Sequence, residues 1–200
     1  MSGIFERNPP GVTEALSQAV VGVAGCGGLG SNAAIALARA GVGTLILADF
    51  DQVELSNLNR QQFVQADIGT EKVRALGAHL KAIHPELRVE EHACRITPEN
   101  AAALFGKADL LIEAFDRVEA KQALIGAWCR AYPGKPLVCG NGVSGFGGSA
   151  ALKVVRAGGN LWFCGDGETD NTLGLCSARV AIVANMQADL AIALLVKGAP

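Results

Sequence analysis

The run Val20-Val21-Gly22-Val23-Ala24 is apolar without alternation, as in a strand buried on both faces, and a glycine-rich turn follows it at once. Residues 31–40 repeat alanine at helical spacing and stop at Gly41, a suitable helix C-cap. Residues 44–48 form the next expected strand, ending at Asp49. A polar connection over 50–69 is longer than such connections usually are, a length that often carries function. Helices are expected over 70–84, ended by Pro85, over the stretch opened by Thr97-Pro98-Glu99, and over 119–132. Strands are expected over 87–92, 109–114, 136–139 and, alternating, 150–155. Near the start, Thr13 can cap a short helix, and 180–196 reads as a buried helix. The alternation β-α-β-α-β-α-β-α-β predicts an α/β fold: a Rossmann-like, doubly wound, mostly parallel sheet with helices on both faces.

Two hundred residues, half of them apolar, suit one domain with a sizeable core, so residues 1–200 are read as one unit with a short N-terminal helical segment. The net charge of −2, without a Lys/Arg run, argues against a general nucleic-acid binder. Residues 1–10 do not resemble a signal peptide, and Asn185, Gln187 and Asp189 interrupt the most apolar segment, so a cytoplasmic protein with no membrane span is expected. The six cysteines form no Cys-x-x-Cys pair, and most are expected to be small buried hydrophobes. His79, His84 and His92 are read as helix-surface or helix-end residues without chemistry.

In Gly25-Cys26-Gly27-Gly28-Leu29-Gly30, glycines between strand and helix let backbone N–H groups approach a phosphate while the helix N-terminus adds partial positive charge. Dinucleotide dehydrogenases and adenylating enzymes share that pattern, so the turn alone does not choose between them. Asp49, about 20 residues further on, stands where a carboxylate accepts hydrogen bonds from ribose hydroxyls. Asp51 is read as a capping or loop-ordering acid. Lys72 and Arg60 read from the residues alone equally as solvated charges, and Asp116 as the cap of the following helix.

The stretch Asp49-Phe50-Asp51, Ser56-Asn57-Leu58-Asn59-Arg60-Gln61, Ile68-Gly69 with Lys72, and Ala114-Phe115-Asp116 resembles the ThiF/MoeB family of adenylyltransferases, relatives of the ubiquitin-activating enzymes. The resemblance covers roughly residues 20–155, with weaker similarity into the final helix. It implies that Gly25, Gly27, Gly28 and Gly30 with Asp49 hold ATP, that Asn57, Arg60, Gln61 and Lys72 surround the triphosphate, and that Asp116 holds magnesium, with Glu113 placed to assist. Arg60, Lys72 and Asp116 would be the catalytic set. Such cations and amides suit adenylation, in which a carboxylate and the α-phosphate, both anionic, must be brought together. The resemblance further implies a homodimer in which Arg7 reaches the partner protomer's ATP site, although a terminal arginine reads equally as solvated.

Many family members bind a structural zinc through two Cys-x-x-Cys pairs. Here only Cys164 stands near the first pair's position, so no zinc is expected. Cys176 is the nearest candidate for a covalent link to a carrier, but a buried structural role is expected for it. The short form with Phe163-Cys164-Gly165-Asp166-Gly167 most resembles the compact ThiF variants that adenylate the sulfur carrier ThiS in thiamine precursor synthesis. The implied partner is a ubiquitin-like carrier ending in Gly-Gly, whose tail the glycine-rich stretch 141–148 would admit, with a sulfur-donating protein as a further partner. Other readings stay open: the same chemistry on a molybdopterin-type carrier or a modified tRNA base, a nicotinamide oxidoreductase, and a non-catalytic nucleotide-binding module. The oxidoreductase reading leaves Asn57, Arg60, Lys72 and Asp116 without a role.

Overall fold

The computed structural model describes residues 3–197, so residues 1, 2 and 198–200 of the expected unit lie outside it. Its elements in chain order are α1 (Val12–Gln18), β1 (Val20–Ala24), α2 (Gly28–Ala40), β2 (Thr44–Asp49), α3 (Lys72–Ile83), β3 (Arg88–Ala93), α4 (Pro98–Phe105), β4 (Leu110–Glu113), α5 (Val118–Ala131), β5 (Leu137–Gly140), β6 (Lys153–Gly158), β7 (Leu161–Gly165) and α6 (Ser177–Lys197). The strands form one sheet in the order β3-β2-β1-β4-β5-β7-β6, all pairs parallel except β6 with β7.

Successive side chains of a strand point to opposite faces, and the central strands are apolar on both. Val21, Val23, Leu45, Leu47, Leu110 and Ile112 face a core shared with α2, α3 and α6, whereas Ala24, Ile46, Ala48 and Leu111 face α4 and α5. Helices therefore cover both faces, as the alternation predicts. The larger layer is held by α2 packed on α6. Arg179, Val180, Val183, Ala184, Gln187, Ala188, Ala191 and Leu194 of α6 are buried, spaced as one helical stripe. By length and a mean hydropathy of 1.6, α6 would also be long enough to cross a membrane; here its stripe closes the core over the sheet.

Three local expectations are corrected. Gly11, not Thr13, occupies the N-cap of α1; the Thr13 hydroxyl instead accepts a hydrogen bond from Asn8 Nδ2 at 2.9 Å. The expected strand over 150–155 starts later, because Ser149–Ala151 form a turn of 3-10 helix, and it becomes the exposed antiparallel edge strand β6. It reaches the sheet only through β7, a strand the hydropathy pattern did not predict.

The chain order reverses between β1 and β4, opening a crevice at the carboxyl ends of these strands, where open α/β sheets bind ligands. The connection over 50–70 folds over this crevice through two 3-10 turns, Leu55–Asn57 and Gln65–Asp67, and is pinned by Val53 N–H to Thr70 O and Gly69 N–H to Val53 O, both 2.9 Å.

Candidate functional site

The turn after β1 divides its glycines by task. Gly25 takes a left-handed conformation (φ 92°), and a Cβ there would lie 3.0 Å from Ala114 O. Gly27 is the N-cap of α2, and no side chain among the described residues caps that helix, so its first N–H groups remain available to an anion. Gly25, Gly27 and Gly28 line a cavity of about 690 Å³. Gly30 does not. A Cβ on it would sit 1.8 Å from Gly25 O, so Gly30 lets helix and strand approach and stands behind the site rather than in it.

Asp49, at the end of β2, is half-buried at the cavity wall, with both oxygens anchored. Oδ2 accepts from Cys26 N–H at 2.6 Å and Oδ1 from Asp51 N–H at 2.9 Å. Burial pushes its carboxyl above the usual range, against the pull of those two N–H groups and of Lys72. Each oxygen keeps a further lone pair for a hydroxyl donor.

Asn57, Arg60 and Gln61 also line the cavity, and they owe their positions to one turn: the N–H groups of Arg60 and Gln61 donate to Asn57 O at 3.1 and 3.0 Å. Asn57 Oδ1 accepts from Glu54 N–H at 3.0 Å, so this side chain shapes the loop. Arg60 Nη1 is steadied by Ser56 O at 3.1 Å and Asn59 Oδ1 at 2.7 Å, and no carboxylate pairs with it among the described residues. Gln61 is buried beside Gly27, its Oε1 without a hydrogen-bond partner among the described residues. Lys72, at the first turn of α3, is 6% exposed, with its ammonium 2.9 Å from Asp51 Oδ2. Asp51 therefore orients Lys72, a role its reading as a loop-ordering acid did not include.

Asp116 lies on the same cavity and is exposed, just past the tip of β4. Glu113 does not join it. That carboxylate is 0% exposed, accepts from Phe115 N–H at 2.7 Å and is ion-paired with Lys121, so it faces the protein and cannot assist at a cation beside Asp116. Burial pushes its carboxyl up, partly offset by Lys121. Arg7 is exposed and lies outside the cavity. Its segment is anchored at the far end of α2, where the Phe5 ring packs at Gly41 and Asn8 Nδ2 donates to Ala40 O at 2.9 Å. Thirteen residues of helix, about 20 Å, separate that end from Gly27.

The far wing of the cavity is built from Gly140, Asn141, Gly142, Val143 and Ser144 with residues 167–170. A buried ion pair between Asp166 and Arg179 holds it, Arg179 Nη1 also donating to Gly147 O at 2.6 Å. Asp166 accepts from Glu168 N–H at 2.8 Å and Thr169 N–H at 2.9 Å. Sequence reading gave no pairing to Lys121, Asp166 or Arg179 and none to Arg95, which stacks over Phe50 at 3.9 Å, since the partners are 8, 13 and 45 positions apart and share no local pattern.

Of the cysteines, Cys26, Cys139 and Cys164 are buried, and burial pushes the Cys164 thiol up to about 12. Cys176 is exposed, contrary to the buried role expected. It occupies the turn just before α6, where its carbonyl accepts Val180 N–H at 3.1 Å and its side chain is left in solvent. Among the histidines, His79 pairs with Asp67 at 2.7 Å and His84 is buried edge-on to Phe5.

The chain is 39% identical over 138 residues to a probable adenylyltransferase/sulfurtransferase MoeZ of Mycobacterium tuberculosis, covering 68% of this chain and 34% of the relative. It is 36% identical over 138 residues to a sulfur carrier protein adenylyltransferase of Thermus thermophilus, covering 68% and 50%. The chain thus spans half or less of the length of these curated relatives. Among solved structures, the tRNA N6-threonylcarbamoyladenosine dehydratase TcdA of E. coli superposes with a TM-score of 0.83 at 25% identity, over 92% of this chain and 88% of that one; its complex with ATP gives the same figures. The ThiF family model matches residues 4–200, and with the glycine turn, Asp49, Arg60, Lys72 and Asp116 gathered on one crevice, the chain belongs to the ThiF family.

Proposed function

We propose that the protein uses ATP to adenylate the C-terminal glycine carboxylate of a ubiquitin-like sulfur carrier. One observation carries this reading: the uncapped N-terminus of α2, the ribose-type acceptor Asp49, the cations Arg60 and Lys72, and Asp116 all line the same cavity. In the reaction a carboxylate oxygen forms a bond to the α-phosphorus, the bond from that phosphorus to the β-phosphate oxygen breaks, and pyrophosphate leaves with its electron pair. The N–H groups at Gly27 and Gly28 would hold phosphate, and Asp49 the ribose hydroxyls. Phe50 with Arg95, and Ile96 and Phe115, give the cavity an apolar flank for the base.

Arg60 with its planar fork and Lys72 with its ammonium would offset the charge that builds as two anions meet. Lys72 keeps donors beyond the one given to Asp51, so it can serve phosphate without losing its orientation. Asn57 sets the loop that delivers both Arg60 and Gln61. Asp116 fits magnesium, since a single exposed carboxylate facing a phosphate site suits a cation that keeps most of its waters. Magnesium there would add positive charge against the triphosphate.

The carrier reading rests on the Thermus and Mycobacterium relatives and on the glycine-rich wing, which suits a thin Gly-Gly tail. A ThiS-type carrier and a role in thiamine precursor synthesis are the specific form proposed, in a cytoplasmic homodimer. Modification of a tRNA base is a second reading, favoured by the match to TcdA over nearly its whole length. Exchange of labelled pyrophosphate into ATP separates the two. Exchange that requires a Gly-Gly carrier is the expected result; exchange that requires N6-threonylcarbamoyladenosine tRNA selects the second reading, and none with either overturns adenylation.

A further inference from the structure

Lys121 is a cavity-wall cation to which the proposed reaction gives no task. It stands in the first turn of α5, with its side chain 16% exposed, and its ammonium ties together the tips of two strands. It ion-pairs with Glu113, the last residue of β4, and donates to the carbonyl of Gly140, the last residue of β5, at 2.8 Å. Glu113 is wholly buried and also accepts from Phe115 N–H, so it is committed to the protein. A lysine ammonium has three N–H donors. Two are used here, and no described residue takes the third, while the side chain borders the cavity.

The position of that donor decides what it meets. The phosphate and ribose groups of the site lie at the β1 and β2 ends, where Arg60 and Lys72 already supply cations. Lys121 lies at the β4 and β5 ends, between Asp116 and the glycine-rich wing, the side that the carrier reading gives to the Gly-Gly tail. A bare cation would draw charge from a carboxylate that has to act as a nucleophile. An ammonium already paired with Glu113 offers direction with little net field.

Resting on the adenylation reading, we infer that Lys121, held by Glu113 and Gly140, donates its third N–H to the non-attacking oxygen of the substrate's terminal carboxylate and so fixes the C-terminal glycine for attack. Lys121 is thus a substrate-positioning residue, and the tail enters along the β5 side of the cavity.

The test is a binding cycle that needs no turnover. A ThiS-type carrier ending in Gly-Gly, as the free acid and as the C-terminal amide, is titrated into the full chain saturated with an ATP analogue whose α,β bridge cannot be cleaved. The wild type is expected to prefer the free acid by about tenfold, because the third N–H then meets a charged carboxylate oxygen where the amide offers only a neutral one. The Glu113→Gln/Lys121→Gln double variant, which keeps an amide pair in place of the buried ion pair, should lose that preference while binding the analogue as before. Lys121→Arg, which keeps the charge but changes donor geometry, should weaken the preference. If the variants merely loosened the wing, acid and amide would weaken equally and the preference would survive, which overturns the inference. A wild type that binds the carrier without preferring the acid also overturns it and leaves adenylation standing. A wild type that binds neither form removes the carrier reading and the inference together.

Discussion

At the scale of single residues, the glycine turn contains two kinds of glycine that the sequence does not distinguish. Gly27 has room for a methyl group, whose nearest neighbour would be Gln61 Nε2 at 3.7 Å. Gly30 has none, because Gly25 O lies 1.8 Å from where its Cβ would be. Gly27→Ala should therefore fold with a stability change under about 1 kcal/mol but crowd the phosphate approach, cutting ATP affinity about tenfold. Gly30→Ala should cost about 3 kcal/mol in urea unfolding, because backbone has to move to admit it. A Gly30→Ala protein of native stability would contradict the packing role; a Gly27→Ala protein with native ATP affinity would contradict the phosphate role. That Asp49, Arg60, Lys72 and Asp116 share one cavity was implied by the family resemblance, since Arg60 and Lys72 read from the residues alone equally as solvated charges and Asp116 as a helix cap. Lys121 and Arg179 were not legible, because their meaning comes from strand tips and loops brought together only by folding.

At the scale of elements, the hydropathy pattern found the buried parallel strands β1, β2, β4 and β5, because such strands are short continuous apolar runs. It missed β7, a five-residue strand directly behind Gly158-Gly159-Asn160, and misplaced the start of β6, whose six residues are all exposed and leave no burial signal. Between β7 and α6 the chain is held by Asp166 and Arg179, each with a side chain 7% exposed. Burial acts to raise the Asp166 carboxyl, but the N–H groups of Thr169 and Glu168, the Thr169 hydroxyl and Arg179 outweigh it and hold the carboxyl below 3.8. A carboxyl lowered on folding adds stability that is complete above the unfolded value of 3.8 and is lost as pH falls through the folded value. Asp166→Asn should remove that acid-side dependence. It should also cost about 3 kcal/mol at neutral pH by leaving Arg179 buried and unpaired, and speed amide exchange in residues 145–148, since Arg179 also holds Gly147 O. Unchanged exchange in that segment would show that Arg179 is not what orders the wing.

At the scale of the whole molecule, Arg7 tests whether one chain makes a complete site. Phe5 and Asn8 fix its segment at the carboxyl end of α2, and the crevice opens at the other end, so the arginine cannot serve the cavity of its own chain. If the protein is a homodimer with Arg7 reaching across, a site needs Arg7 from one protomer and Asp116 from the other. Arg7→Ala and Asp116→Ala homodimers would each be inactive. Mixed in equal amounts and allowed to exchange subunits, half of the dimers become heterodimers, and each of these has one site with both residues intact. Pyrophosphate exchange should then recover to about a quarter of the wild-type rate per chain, the signature of a shared site in a closed two-fold assembly. Arg7→Ala activity equal to wild type would mean a solvated arginine. An inactive Arg7→Ala that the Asp116→Ala partner cannot rescue, with subunit exchange verified by mass, would place the effect of Arg7 within its own chain.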